Sequence, residues 1–178
     1  MRVIMVARVE PSKRPYDFLA VAKKVCSKKG AIEFVWVGDG TMRIKMLEAV
    51  KSTGLDTVKF VGKLSEDEKI RLMRQSDAYI STSESEGFAL TPGEAFLVGL
   101  PVVVYDLPVY TEVYDGFPLK ARMFDVDDFS EKVILALDRP DWLLRKVAQA
   151  KRFVEENYSY SSVGLRATNA LREILKLG

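Results

Sequence analysis

Short apolar runs alternate with stretches of helical periodicity through the first two-thirds of this chain, and that alternation constrains the fold most. The runs lie at residues 3–7, 32–37, 58–61, 78–81 and 101–105. Each is long enough for a strand and too short for a self-standing helix. Between them, residues 15–28 place Phe18, Ala22 and Val25 on one helical face, and residues 42–53 read as a second helix. Ser65 and Glu68 form a capping box that opens a helix running to about Ser76, and Gly99 closes a short helix at residues 91–98. Apolar strands separated by single helices are buried on both faces of a parallel sheet. The expected fold is therefore α/β, a doubly wound, Rossmann-like parallel sheet. After Tyr105 the pattern changes: residues 106–120 read as loop-rich, a short strand is expected near 122–124, and helices at about 128–137, 142–156 and 161–177 finish the chain.

The 178 residues suit one domain and are too few for two full α/β domains. With 48% hydrophobic residues the chain can build a core, and a net charge of +2 gives no reason to expect a nucleic-acid partner. Histidine is absent, which removes zinc sites of the usual kind and any Ser-His or Cys-His nucleophile pair. The single cysteine, Cys26, forms no internal disulfide and reads as a buried, inert thiol. No apolar run approaches the roughly 20 residues of a membrane span, and no signal peptide is visible, so a cytoplasmic location is the default expectation. The first strand opens with almost no lead-in, which reads as a domain excised from a longer chain.

In open parallel sheets, ligands bind beyond the carboxyl ends of the strands. The loop after the first strand holds Arg8 and Lys13, five apart across a turn that leads into a helix. Such a pair can meet one diphosphate, though the local sequence taken alone favours two solvated surface charges. Gly38-Asp39-Gly40-Thr41 follows the second strand; Arg43 breaks the dinucleotide glycine fingerprint, leaving at Gly38 a place for close backbone approach. Gly62-Lys63-Leu64-Ser65 follows the third strand, where Leu64 offers an apolar wall to a base, or simply leads into a capped helix. The loop after the fourth strand is the most informative. Thr91, Pro92 and Glu94 fit the N-cap, N1 and N3 positions of a helix, so Glu94 has a structural reading as the acid of a capping box. Glu86, before Gly87, has none. The amides from Phe88 to Thr91 lie at a helix start and suit an anion. Two carboxylates flanking them can hold hydroxyls on either side of a phosphate.

Glu86 and Glu94 stand in the pattern E-x7-E within SESEGFALTPGEAFLVGLPVV, residues 83–103. This segment resembles SESEGFGLTPLEAMACGLPVV of the retaining GT-B glycosyltransferases of family 4, also called group 1. Arg8 and Lys13 keep the spacing of a similar GRLVPEKG segment, and FVWVGDG, VKFVGKLSEDE and Glu155-Glu156-Asn157-Tyr158-Ser159 look like further landmarks in the right order. Ala89 replaces the second glycine of the Gly-Phe-Gly loop, Ala7 and Arg14 stand where glycines are usual, and Gly93 replaces a bulkier residue. Gly93 weakens its short helix by ~1 kcal/mol relative to Ala.

The resemblance implies the C-terminal, donor-binding half of a GT-B enzyme, a group that includes mannosyl- and glucosyltransferases. The donor is then a UDP-, GDP- or ADP-sugar. Arg8 and Lys13 contact its diphosphate, Glu94 the ribose, and Glu86 the donor sugar. Gly87 and the amides of Phe88, Ala89, Leu90 and Thr91 support phosphate and sugar; Gly38, Lys63 and Leu64 meet the rest of the nucleotide. No cofactor or metal is required. The acceptor belongs to the enzyme's own N-terminal domain, without which this chain folds but does not transfer sugar. The helix at 161–177 then packs toward that domain, and the full-length protein sits in the cytoplasm, at most peripheral at the inner membrane face. A sugar-nucleotide 2-epimerase, an NAD-dependent oxidoreductase and a non-catalytic binding module are the rival readings.

Overall fold

The computed structural model describes residues 1–159, together with Ser162 and Thr168. Six parallel strands form one sheet in the order β3-β2-β1-β4-β5-β6. They are β1 (Arg2–Val6), β2 (Glu33–Val37), β3 (Val58–Gly62), β4 (Ala78–Ser81), β5 (Val102–Tyr105) and β6 (Leu119–Ala121). The helices are α1 (Pro15–Lys29), α2 (Arg43–Thr53), α3 (Glu66–Arg74), α4 (Leu90–Leu97), α5 (Pro108–Tyr114), α6 (Val126–Asp138) and α7 (Asp141–Tyr158). This is the doubly wound α/β fold expected from the alternation.

The apolar strands explain the layering. Successive side chains of a strand point to opposite faces. Val3 and Met5 join one core, under α1 and α6; Ile4 joins the other, under α4, α5 and α7. Within the first core Phe18 of α1 meets Phe34, Trp36 and Phe60 edge-on, with centroids 5.8, 5.0 and 6.0 Å away. Complete burial of one such ring contributes about 1.5–3 kcal/mol. β3 departs from the two-sided pattern: it is an edge strand, and Lys59 and Val61 face solvent.

Four local expectations are corrected. Residues 106–120 are not loop-rich, because α5 forms there with Pro108 at its start and Tyr110, Val113 and Tyr114 buried. The last strand falls at Leu119–Ala121, ahead of the expected 122–124, and Phe124 instead takes a positive φ of 62° in the turn before α6. Cys26 is only half-buried, its thiol donating to the Ile32 carbonyl at 3.4 Å. The short helix α4 starts at Leu90, capped by Ala89 in the left-handed conformation, so Thr91 is not its N-cap. The helix expected at 161–177 lies outside the described residues. Among the described residues no helix is long and apolar enough to cross a membrane.

The sheet grows from β1 toward β3 on one side and from β4 toward β6 on the other. Its topological switch point therefore lies between β1 and β4, whose following loops diverge and leave a crevice.

Candidate functional site

Two loops rise from that switch point, and hydrogen bonds zip them together. After β1 the chain makes a single 3-10 turn, Pro11–Lys13, and Arg14 takes φ 49° before α1 begins. From the β4–α4 loop the Glu84 amide donates to the Ser12 carbonyl at 2.9 Å, and the buried Thr82 hydroxyl donates to the Lys13 carbonyl at 2.8 Å. Arg14 completes the junction. Its guanidinium grips Asp17 with two bonds of 2.7 and 3.2 Å, reaches Glu84 at 3.2 Å, and stacks over the Phe124 ring at 4.4 Å. Asp17 is itself buried and accepts from the Tyr105 hydroxyl at 2.7 Å.

The zipper brings Lys13 and Glu86 together. Lys13 Nζ donates to Glu86 Oε1 at 2.7 Å, and their side chains are 20% and 19% exposed. Both border a cleft of about 310 Å3, with Ala7, Phe88, Ala89, Leu90 and Thr91 among its other walls. Phe88, half-exposed at the rim, rests edge-on against Tyr158 of α7 at 5.3 Å. Thr91 ties the start of α4 to the sheet: its hydroxyl donates to the Val6 carbonyl at 3.3 Å and meets the Tyr79 hydroxyl at 2.8 Å. Gly87 lies exposed with open space beside it.

Arg8 is elsewhere. Its side chain is 77% exposed and bonds Glu10 at 2.8 Å, outside the cleft. Glu10 in turn accepts from the Thr41 hydroxyl and amide at 2.6 and 3.2 Å, linking the β1–α1 and β2–α2 loops. Those bonds and the neighbouring Arg8 charge hold the Glu10 carboxyl below the usual range. The close approach expected at Gly38 is made to the chain itself: at φ 136° a Cβ there would stand 2.0 Å from the Ala7 carbonyl oxygen. Lys63 is exposed and Leu64 half-buried against the second core, on the loop between β3 and α3.

Glu94 loses its capping-box reading. Because α4 begins at Leu90 and no side chain caps it, Glu94 is the fifth helical residue, beyond the reach of an N-cap amide. Its carboxylate instead faces Lys69 of α3, whose ammonium stands 3.0 Å from Oε1 and 2.9 Å from Oε2. Lys69 also pairs with Glu66 at 2.6 Å and is 8% exposed. Burial works against its charge, but the bonds to Glu66 and Glu94 outweigh it and hold the ammonium above the ordinary lysine range. The sequence reading missed Lys69. The available signal was its position four residues before the buried Met73, on the inward stripe of α3. A lysine on such a stripe requires a buried anion.

A doubly wound parallel sheet with a cation–carboxylate pair in the crevice at its switch point defines a Rossmann-like α/β domain. The chain belongs to the family "Glycosyl transferases group 1", whose profile matches residues 2–158. It is 31% identical over 120 residues to the O-antigen biosynthesis glycosyltransferase WclY of Escherichia coli, a match covering 64% of this chain and 33% of that protein. Among solved structures, a mutant of Staphylococcus aureus TarM in complex with fondaparinux, alpha-GlcNAc-glycerol and UDP superimposes with a TM-score of 0.83 at 22% identity, over 94% of this chain and 34% of that one. The pneumococcal O-GlcNAc transferase GtfA in complex with UDP and GlcNAc gives a TM-score of 0.78 at 18% identity, over 98% and 36%. This chain thus spans about a third of each of these proteins. At such identities the two structural likenesses establish the GT-B-type fold, and family membership rests on the profile match.

Proposed function

We propose that this chain is the nucleotide-sugar-binding half of a retaining glycosyltransferase of family 4, acting with an N-terminal acceptor domain. The observation that carries the reading is the Lys13–Glu86 pair: a cation for phosphate and an acceptor for sugar hydroxyls, 2.7 Å apart at the switch point. An ammonium has three donors. Lys13 uses one on Glu86 and aims another at the Ser85 carbonyl at 3.4 Å, so a phosphate oxygen can take the third. Glu86 then accepts from the sugar, and the free amides from Phe88 to Thr91 meet phosphate oxygens at the start of α4. Glu94, held by Lys69, accepts from the ribose. Gly38, Lys63 and Leu64 border the base, and Arg8 swings from Glu10 to the diphosphate.

The reaction breaks the bond between the sugar's anomeric carbon and the phosphate oxygen and forms one to the acceptor oxygen on the same face. The departing phosphate takes the acceptor's proton. Fixed cations stabilise the charge that develops on the diphosphate, which needs neither a histidine nor a metal. UDP is the first nucleotide to try, because two structurally similar proteins were crystallised with it.

A thermal-shift panel of UDP-, GDP- and ADP-sugars tests the reading. A ligand that binds only the folded state raises stability by ~2.7 kcal/mol at a hundredfold excess over its dissociation constant. One nucleotide series is expected to raise the melting temperature; a flat response to all three would contradict the assignment.

A further inference from the structure

Ala89 caps α4 at φ 57°, ψ 56°, a left-handed conformation that alanine adopts only under constraint. The constraint comes from α5. The Tyr114 hydroxyl, buried and kept protonated by that burial, donates to the Ala89 carbonyl at 2.6 Å. Gly93 makes room for it: a Cβ at that position would stand 2.8 Å from the Tyr114 hydroxyl oxygen. Phe96, one turn further along α4, closes the other side of the ring edge-on at 5.8 Å. Residues far apart in sequence are therefore fitted around one hydrogen bond.

The Ala89 carbonyl and the Leu90 amide belong to one planar trans peptide, so they point in opposite directions. Fixing the carbonyl toward Tyr114 aims the Leu90 N–H the other way, and Ala89 and Leu90 border the cleft that holds Lys13 and Glu86. That N–H is the first of α4 and has no partner within the helix. We propose that Tyr114 is a positioning residue of this site: its hydroxyl sets the direction of the leading α4 amide toward the phosphate of a bound nucleotide. The inference rests on the donor-binding reading given above.

Calorimetric titration with UDP of the wild type, Tyr114→Phe, Ala89→Gly and the double variant tests it. Glycine holds the left-handed conformation without an anchor. Tyr114→Phe is expected to weaken UDP binding about five- to tenfold, the size of one hydrogen bond. Ala89→Gly added to Tyr114→Phe is expected to recover most of the lost affinity. Unchanged binding by Tyr114→Phe, or no rescue by the second change, overturns the inference. A structural loss alone would lower the melting temperature and leave affinity intact. If the wild type binds none of UDP, GDP and ADP, the donor reading fails separately. The anchor is then decided by the carbon chemical shifts of Ala89: loss of their left-handed signature in Tyr114→Phe supports it, and retention overturns it.

Discussion

Lys13 and Glu86 lie 73 positions apart in the chain and form a 2.7 Å ion pair across two loops held in contact by the Glu84 amide and the Thr82 hydroxyl. Each neutralises the other. A diphosphate therefore competes with Glu86 for Lys13, and a sugar hydroxyl competes with Lys13 for Glu86.

The two cations of the β1–α1 loop are not equivalent. Lys13 borders the cleft, whereas Arg8 is largely exposed and engaged by Glu10. Arg8 must break that bond and lose side-chain freedom to reach a ligand. Lys13→Met is expected to weaken UDP binding by roughly 1.5–3 kcal/mol, the range for hydrogen bonds to charged groups. Arg8→Ala is expected to cost less. Calorimetric titration of both variants checks the order; a larger loss from Arg8→Ala would contradict the geometry.

Lys69 supplies a pH signature. Its bonds to Glu66 and Glu94 hold its folded-state pKa above the ordinary lysine value, the first effect of burial being overcome. A raised pKa means that the stabilisation is fully present below the unfolded value of 10.5 and fades as pH rises through the folded one. The stability difference between wild type and Lys69→Met is therefore expected to be constant from pH 7 to 9 and to shrink above about 10.5. Truncating one partner of a fully buried pair costs about 3–5 kcal/mol. Glu94 keeps 30% of its side-chain exposure, so roughly 1–3 kcal/mol is expected near neutrality. Urea unfolding across this pH range checks both the size and its loss.

Arg14→Gly tests the loop junction. Glycine relieves the left-handed strain, about 1 kcal/mol or slightly more. It also removes the Asp17 fork, the Glu84 bond and the stack on Phe124, and leaves the buried Asp17 facing only the Tyr105 hydroxyl. The loss exceeds the relief, because an uncompensated buried carboxylate is costly. A net destabilisation of about 1–2 kcal/mol is expected by urea unfolding. A stabilised variant would show that the junction contributes nothing.

Much of this was legible in the sequence, for identifiable reasons. The strands of the central sheet were found because Val3–Met5 and Val102–Tyr105 are apolar throughout, as two-sided burial demands. Glu86 stood out as a loop carboxylate without a packing role, and Lys13 was singled out by the resemblance; that the two meet in one ion pair was not legible locally. Tertiary relationships were not legible. The start of α4 was misplaced by two residues because Thr91-Pro92-x-Glu94 imitates a capped start, while the true cap is an alanine held left-handed by Tyr114. The same partner explains Gly93, whose propensity cost had no reason in the local sequence. Helix α5 was hidden by Pro108, Gly116 and Pro118, although Pro108 only opens it. Lys69 looked like one more surface charge until Glu94 came to face it from another helix.

The central claim, that Glu86 meets the sugar and Lys13 the diphosphate, is tested most directly by titrating Glu86→Gln with UDP and with the best UDP-sugar from the thermal panel. Glutamine removes the charge that competes for Lys13 while keeping the size of the side chain. Bare UDP is expected to bind Glu86→Gln at least as tightly as the wild type, and the UDP-sugar to bind more weakly by roughly 1.5–3 kcal/mol. Equal weakening of both ligands would contradict the account and return Glu86 to a purely structural partner of Lys13.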